Sequence, residues 1–423
     1  MKQYDLLVVG GGQAGCAAAL AGARKGLRVL LAEASGSLGG SATVCLVNPY
    51  MPYTTVVEED GKERRLELSA GIFREIHEEL NRDEIYGYKG KGPDFHEETM
   101  KVLYDRKMQE AGVEVLFHAT LCGAETEGRR IQSVTFATVG GLYTFTADTY
   151  VDATGDATLS VMSGCSCRLG RPEDSLCQPM TLCFRIGNID MESYKKHHAE
   201  ISPLYKKLQA EGKLKNPRED VLIFPTRIPG VLHFNTTRVV RLNPTDPFDV
   251  SRAEREAREQ VVEMVAFLRE NFEAFAHADL LMTAASIGVR ESRMLNARYV
   301  VTGEELLAGT HYEDGIAAGN YDIDIHSPDG TGTSHHYFPK GVYYTIPYRS
   351  MLPQELDNLL VAGRSIGATH EAQASIRIMP ICTCLGEAAG VAAAVAHQDG
   401  VDVADASAEK IRTLLREAGA FVG

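Results

Sequence analysis

Three short stretches carry side chains suited to holding an anion or moving a proton. Residues 287–293 read IGVRESR, where Arg290 and Arg293 flank Glu291. Two guanidinium groups that close can grip a carboxylate through paired hydrogen bonds, or can be neutralised by Glu291 itself. His335-His336-Tyr337 follows Gly330-x-Gly332; such a flexible approach suits an active-site histidine and equally suits a solvated loop. His370-Glu371 comes directly after an apolar run and its glycine turn, where an imidazole can serve as acid or base. Serine, aspartate and histidine are all present, but no G-x-S-x-G elbow supports a hydrolase. Cys165-Ser166-Cys167 and Cys382-Thr383-Cys384 are C-x-C pairs, not the C-x-x-C of zinc or thioredoxin-like sites. The second pair falls in an expected helix, where residues two apart do not share a face. No metal centre is therefore expected. Of the nine cysteines, Cys16, Cys45, Cys122 and Cys183 lie in apolar runs and read as reduced core thiols.

These groups need a reactive partner, and the N-terminal stretch supplies the wrapping for one. VVGGGQAGCAAALAGARKGLRVLLAE runs from Val8 to Glu33 as a strand, a glycine turn, an alanine-rich helix and a second strand ending in an acid. Gly10-x-Gly12-x-x-Gly15 allows a tight turn, backbone approach to a pyrophosphate and close packing of helix on strand. The helix start offers free N–H groups to phosphate, and Glu33 lies about 20 residues on, where an acid accepts ribose hydroxyls. All four features in register imply an adenine dinucleotide.

Three later features decide between a nicotinamide and a flavin. Gly39-Gly40-Ser41 is a backbone-rich loop suited to following a longer cofactor, and VDATGDA (Val151–Ala157) runs into a second glycine turn. LLVAGRSIGATHE (Leu359–Glu371) is a third such strand, with Arg364 placed to meet a phosphate. Gly330-x-Gly332-x-x-His335 is no second fingerprint, because no apolar strand precedes it and no glycine completes it. With these motifs, the chain resembles the FAD-dependent oxidoreductases of the glutathione-reductase-like flavoprotein superfamily. IGVRESR and GRSIGATHEAQASIRIMP (Gly363–Pro380) resemble, more narrowly, the group related to fumarate reductase flavoproteins.

The resemblance implies a tightly held FAD in a Rossmann-like α/β domain of three ββα layers, with an inserted α+β substrate cap. It implies cofactor contacts from Gly10, Gly12, Gln13, Ala14 and Gly15 of the fingerprint, and from Glu33 and Ala34 after the second strand. Gly39, Gly40, Ser41 and Thr43 would follow in the loop, then Thr120 and Leu121, then Ala153, Thr154, Gly155 and Asp156. Gly363 and Arg364, and then Arg377, Met379 and Ile381, would complete the set, because the last helix points its N-terminus at the flavin pyrimidine. Some relatives attach the flavin through a histidine, for which His370 is the nearest candidate; with no matching attachment motif, non-covalent FAD is expected.

The bulk properties agree with an enzyme of small molecules. The chain has 423 residues, 44% hydrophobic and 24% charged, with a formal net charge of −14. That charge argues against nucleic acid and against an anionic membrane surface. MKQYDLLVVGG leaves no room for a signal peptide, and the alanine-rich C-terminal run is interrupted by Glu387, so a cytoplasmic protein is expected. The texture divides the chain into FAD-binding residues 1–165, a cap over 166–348, and a returning FAD-binding segment over 349–423. Expected elements include strands at 5–10 and 27–33, helices at 13–25, 69–80 and 95–111, and a meander turning at Glu127-Gly128 and Gly140-Gly141 before a returning strand at 149–153. Residues 44–95 otherwise read as irregular. Within the cap, strands at 180–186 and 231–240 and a helix at 252–270 are expected, and the last helix is expected over 380–397. The function read from all this is hydride transfer between FAD and a small polar, anionic metabolite, with Arg290, Arg293, His335, His336 and His370 at the reacting end. The alternative is a flavin-binding subunit passing electrons to a partner protein, although no iron–sulfur cysteine spacing is present. The sequence leaves oligomeric state open.

Overall fold

A computed structural model describes residues 3–59, 61–330 and 332–423. The first half of the chain runs β1 (Gln3–Val9), α1 (Gln13–Arg24), β2 (Val29–Ala32), β3 (Thr54–Glu59), β4 (Lys62–Glu67), α2 (Ile72–Leu80), α3 (Glu97–Ala111), β5 (Glu114–Leu116), β6 (Thr120–Glu127), β7 (Arg130–Thr138), β8 (Gly141–Asp152), α4 (Thr158–Met162), β9 (Cys167–Leu169), β10 (Phe184–Gly187) and α5 (Met191–Ala210). The second half continues with β11 (Ile223–Pro225), β12 (Leu232–Phe234), α6 (Pro247–Asn271), β13 (Asp279–Thr283), β14 (Arg293–Leu295), α7 (Gly303–Leu307), β15 (Gly315–Gly319), β16 (Ile323–His326), β17 (Thr333–His336), β18 (Tyr344–Pro347), β19 (Leu359–Val361), α8 (His370–Ile376), α9 (Met379–Asp399) and α10 (Ala408–Glu417).

One seven-stranded sheet organises the nucleotide half, in the order β5-β2-β1-β8-β7-β6, with β19 also on β8. β1 is buried along almost its whole length, as a central parallel strand must be when both faces are covered. The meander and the returning strand are not separate elements. The twelve-residue β8 pairs antiparallel with β7 through Phe145 and then parallel with β1 from Thr146 and with β19 from Tyr150. The meander, the parallel sheet and the helices α1, α3 and α9 make the three ββα layers.

Helices α1 and α9 pack at backbone distance. A Cβ on Gly386 would lie 1.9 Å from the Ala14 carbonyl oxygen, and one on Gly390 would lie 2.2 Å from that of Ala18. Small residues on both helices are what allow this approach. Helix α9 runs continuously over the expected stretch, from Met379 to Asp399; despite Glu387 it is long and apolar enough to cross a membrane, and from Met379 to Ala396 it is buried within the protein.

A second sheet, β11-β12-β10-β13, carries its own core. That core draws on residues from Met180 to Ile287 and is closed by α6, whose start is capped by Asp246 with Pro247 in the first turn. From Leu295 to Tyr348 the buried side chains join the first core instead. Several elements escaped the sequence pattern, among them the β3–β4 hairpin and α5. The β3–β4 hairpin lies where irregular chain was expected, its alternation hidden by a run of charged residues. Helix α5 is mostly solvated, carries Pro203 inside, and presents only Ile201 and Tyr205 as fully buried side chains. Cys122 is exposed on β6, not in the core, because its side chain falls on the outer face of the meander.

Candidate functional site: a dinucleotide cradle and a buried arginine cluster

The three fingerprint glycines answer to different constraints. A Cβ on Gly10 would sit 2.6 Å from the Ala153 carbonyl oxygen, and one on Gly15 would sit 1.8 Å from that of Gly10, so both are demanded by packing. Gly12 faces space: the nearest atom to its missing Cβ is the Gly40 Cα at 4.0 Å. Helix α1 begins beside that space with no side-chain cap, leaving first-turn N–H groups for an anion. The loop after β2 closes over the turn through Gly39 N–H to Gly11 O at 2.8 Å. The Gln13 amide donates to Gly39 O at 3.3 Å and accepts from Tyr104 at 2.7 Å, and Thr43 donates to Leu38 O at 2.7 Å. These two side chains therefore brace the loop from within.

Glu33 ends β2 with its carboxylate fixed by two backbone N–H groups, Gly11 to Oε2 at 2.6 Å and Ser35 to Oε1 at 2.7 Å. Each oxygen retains a lone pair for a ribose hydroxyl. Ala34 is exposed and Ser41 half-buried beside this rim, and the start of β6 (exposed Thr120, buried Leu121) follows Ala119, which donates to Glu33 O. At the end of β8 the fully buried Asp152, a residue the sequence reading missed, holds the Ala153–Asp156 turn. It accepts from the Thr154 N–H and hydroxyl and from both donors of Ser160. Arg364 is paired through one guanidinium nitrogen with Asp156 at 2.7 Å across Gly155, and Ser292 donates to the same Asp156 oxygen at 2.6 Å. The carboxylate, already fixed by Ser292, is the nearest counter-charge. Gly363 is buried at the end of β19.

At the far end α9 also starts without a side-chain cap, with Pro380 in its first turn. The Nε atoms of Arg364 and Arg377 are buried without a partner. An open glycine, two uncapped helix starts, an acid with spare acceptors and two orphaned guanidinium atoms fit a phosphate-bearing dinucleotide with a polar ring system. Bound there, FAD supplies a centre that accepts or gives a hydride.

The reacting-end candidates separate. Arg290 donates to Pro179 O at 2.8 Å, to the Thr181 hydroxyl and, at 3.4 Å, to Asn235. Among the described residues no carboxylate lies within ion-pair distance of it. Burial, and then the nearby charges of Arg218 and Arg377, pull its pKa down to about 9, so it is still a cation at neutral pH. Glu291 pairs neither with Arg290 nor with Arg293. Its fully buried carboxylate takes His370 Nδ1 at 2.8 Å and Gln178 N–H at 2.9 Å. Arg293 lies in the β9–β14 ribbon with its Nε unpartnered, away from the Arg290 contacts, because the extended chain turns successive side chains to different sides. His335 and His336 are exposed on the β16–β17 hairpin, and His335 is held by Asp322 at 2.5 Å.

Residues that sequence reading passed over gather beside Arg290 instead. Arg218 is 3% exposed, and its Nη1 and the Arg238 Nη2 lie 3.4 and 3.3 Å from His326 Nδ1. Burial and the Arg290 charge lower the His326 pKa to about 3, so His326 is neutral, with its proton on Nε2 facing Asp324 at 3.4 Å. Burial raises the Asp324 pKa, but the His326 hydrogen bond and the Arg377 charge outweigh it and hold this carboxyl well below the usual range. No local pattern in the sequence joins positions 218, 238, 290, 326 and 377. Elsewhere, Asp5, Asp148 and His397 bring their ligand atoms within 4.8 Å at the surface, but Asp5 is taken by Arg28.

No curated protein matches the chain. Among solved structures it is similar to a geranylgeranyl bacteriochlorophyll reductase-like protein from Thermoplasma acidophilum, at 12% identity over 99% of this chain and 84% of that one, TM-score 0.48. It is similar to p-nitrophenol 4-monooxygenase from Pseudomonas putida, at 10% identity over 98% and 84%, TM-score 0.49. It is similar also to a myxobacterial chondrochloren halogenase described as FAD-dependent, at 14% identity over 99% and 79%, TM-score 0.42. The family model described as FAD dependent oxidoreductase matches residues 5–415. A dinucleotide cradle of this form, carried by a match over nearly the whole chain, makes this protein an enzyme of the FAD-dependent oxidoreductase family.

Proposed function

We propose that the enzyme transfers a hydride between its FAD and a small metabolite bearing a carboxylate, at a carbon–hydroxyl, carbon–amine or activated carbon–carbon bond. One observation carries this reading: Arg290 is a desolvated cation held only by neutral acceptors, with Arg218 and Arg377 close enough to disfavour its charge. A buried charge without a counter-ion is costly, and a bound anion removes the cost. Segment 166–348 serves as the substrate cap, since Arg218, Arg290 and His326 all come from it. IGVRESR and Gly363–Pro380 support a place for the chain near the fumarate reductase flavoproteins.

The test is an anaerobic titration of oxidised and of chemically reduced holoenzyme with hydroxy, amino and unsaturated carboxylates, and with their uncharged amides. The visible flavin band should bleach or recover with the carboxylates alone. Arg290→Ala should raise the half-saturating concentration roughly a hundredfold or more, as loss of a buried charge partner does, with FAD content unchanged. Equal response to the amides would overturn the proposal.

A further inference from the structure

His370 opens α8, and its imidazole is fixed from one side only. Nδ1 lies 2.8 Å from Glu291 Oε1, while the other Glu291 oxygen accepts from the Gln178 backbone. An ionised carboxylate only accepts, so the proton between them sits on Nδ1. Among the described residues no protein group takes Nε2. The anchor for the anion hangs on the same few residues. Gln373, three positions along α8, donates to Arg290 O at 2.8 Å and accepts from the Gln178 side chain at 3.2 Å. Arg290 in turn grips Pro179 and Thr181. The charged groups around this pair are Arg168 from β9, which feels both Glu291 and Glu371, and Asp174 from the loop after β9, which feels His370. His326 cannot take the same part, because its Nδ1 faces two guanidinium groups.

We infer that Glu291 is a positioning residue that holds His370 as the Nδ1–H tautomer, with the Nε2 lone pair free for the proton that must accompany hydride transfer. The inference deepens the proposed function and rests on it. For a carbinol substrate, bound FAD would take the hydrogen of the carbon–hydrogen bond together with its electron pair. The oxygen–hydrogen bond breaks, its proton goes to Nε2, and its electron pair becomes the second carbon–oxygen bond. Glu291 stabilises the imidazolium so formed. In the reducing direction every transfer reverses.

The test uses holoenzyme labelled with 15N-histidine, with His370→Asn to assign the resonances. Neutral His370 should carry its proton on Nδ1, and in Glu291→Gln, whose amide can donate to Nδ1, that preference should be lost. The maximal rate of flavin reduction should fall about a thousandfold or more, the scale on which a mis-set tautomer acts in a comparable dyad, while half-saturation by the carboxylate and FAD content stay unchanged. An Nε2–H tautomer in the wild-type protein overturns the inference with no variant needed, and so does an unchanged rate in Glu291→Gln. The tautomer is read without any substrate, so a failed carboxylate titration overturns the proposed substrate class and leaves this reading standing on its own measurement.

Discussion

Glu387 is a carboxyl placed where the fold least favours charge, and Glu387→Gln should stabilise the protein in a pH-dependent way. The residue is 2% exposed in α9, and its Oε2 accepts from the Ile72 N–H, at the start of α2, at 3.0 Å. Burial raises its pKa from 4.5 to about 7, against the smaller pull of the Ile72 N–H and Arg24. Between those two values the folded chain holds a proton that the unfolded chain has released. Stability therefore falls as pH rises from about 4.5 to about 7 and levels off above. A shift of that size corresponds to roughly 3 kcal/mol at alkaline pH and under about 1 kcal/mol at pH 5. Glutamine keeps an acceptor for Ile72 and has no charge to desolvate. Its amide donors face a cavity of about 310 Å³ whose lining includes Glu75, Glu78 and Glu79. Any packing cost of the amide is the same at both pH values, so the difference isolates the charge: the variant should gain about 2–3 kcal/mol on wild type between pH 5 and pH 8. Urea unfolding of the holoprotein at pH 5, 6, 7 and 8, followed by circular dichroism and by flavin fluorescence, measures it. A variant-minus-wild-type difference that stays flat across this range would refute the reasoning.

Four further outcomes follow from the site and the core. Gly12→Val should abolish FAD binding while the chain still folds, because its side chain enters the one open face of the fingerprint; FAD content of the purified variant decides it. Glu33→Ala should weaken FAD roughly 10- to 100-fold, the worth of charge-assisted hydrogen bonds to ribose, as read by flavin fluorescence on dilution. The flavin should be non-covalent: acid precipitation should leave FAD in the supernatant and a colourless pellet. Glu97→Gln should cost about 3–5 kcal/mol by urea titration, because it strips the counter-charge from Arg185, 2.6 Å away in a pair with both side chains almost fully buried.

What the sequence made legible was local. The fingerprint, Glu33 and the glycine turns at the ends of β8 and β19 are each written within a short window, so residue types alone place them. The arginine cluster is different. Arg218 and His326 are brought together across more than a hundred positions, and neither stands in a motif. Glu291 misled for the same reason. Its sequence neighbours are arginines, but its partner is His370, reached only when α8 folds back onto the 178–181 strand region. Pairing by proximity in sequence favoured Arg290 and Arg293, and the chain geometry sends the side chains elsewhere. Gln13 and Thr43 were not legible as internal braces of the loop, since that depends on Tyr104 and Leu38 lying opposite.

The contact between α1 and α9 sets a timetable on synthesis. Helix α1 leaves the ribosome with a face of alanines made for another helix, and that helix begins only at Met379, about 350 residues later. Strand β19, which completes the sheet beside β8, is also late. At roughly 5–20 residues per second the nucleotide half stays unfinished for on the order of tens of seconds. During that interval the cap core over residues 180–287 can already form around its own sheet. Nascent chains stalled before residue 379 should therefore carry a folded cap and an FAD half still dependent on chaperones, and flavin should load only once α9 has emerged.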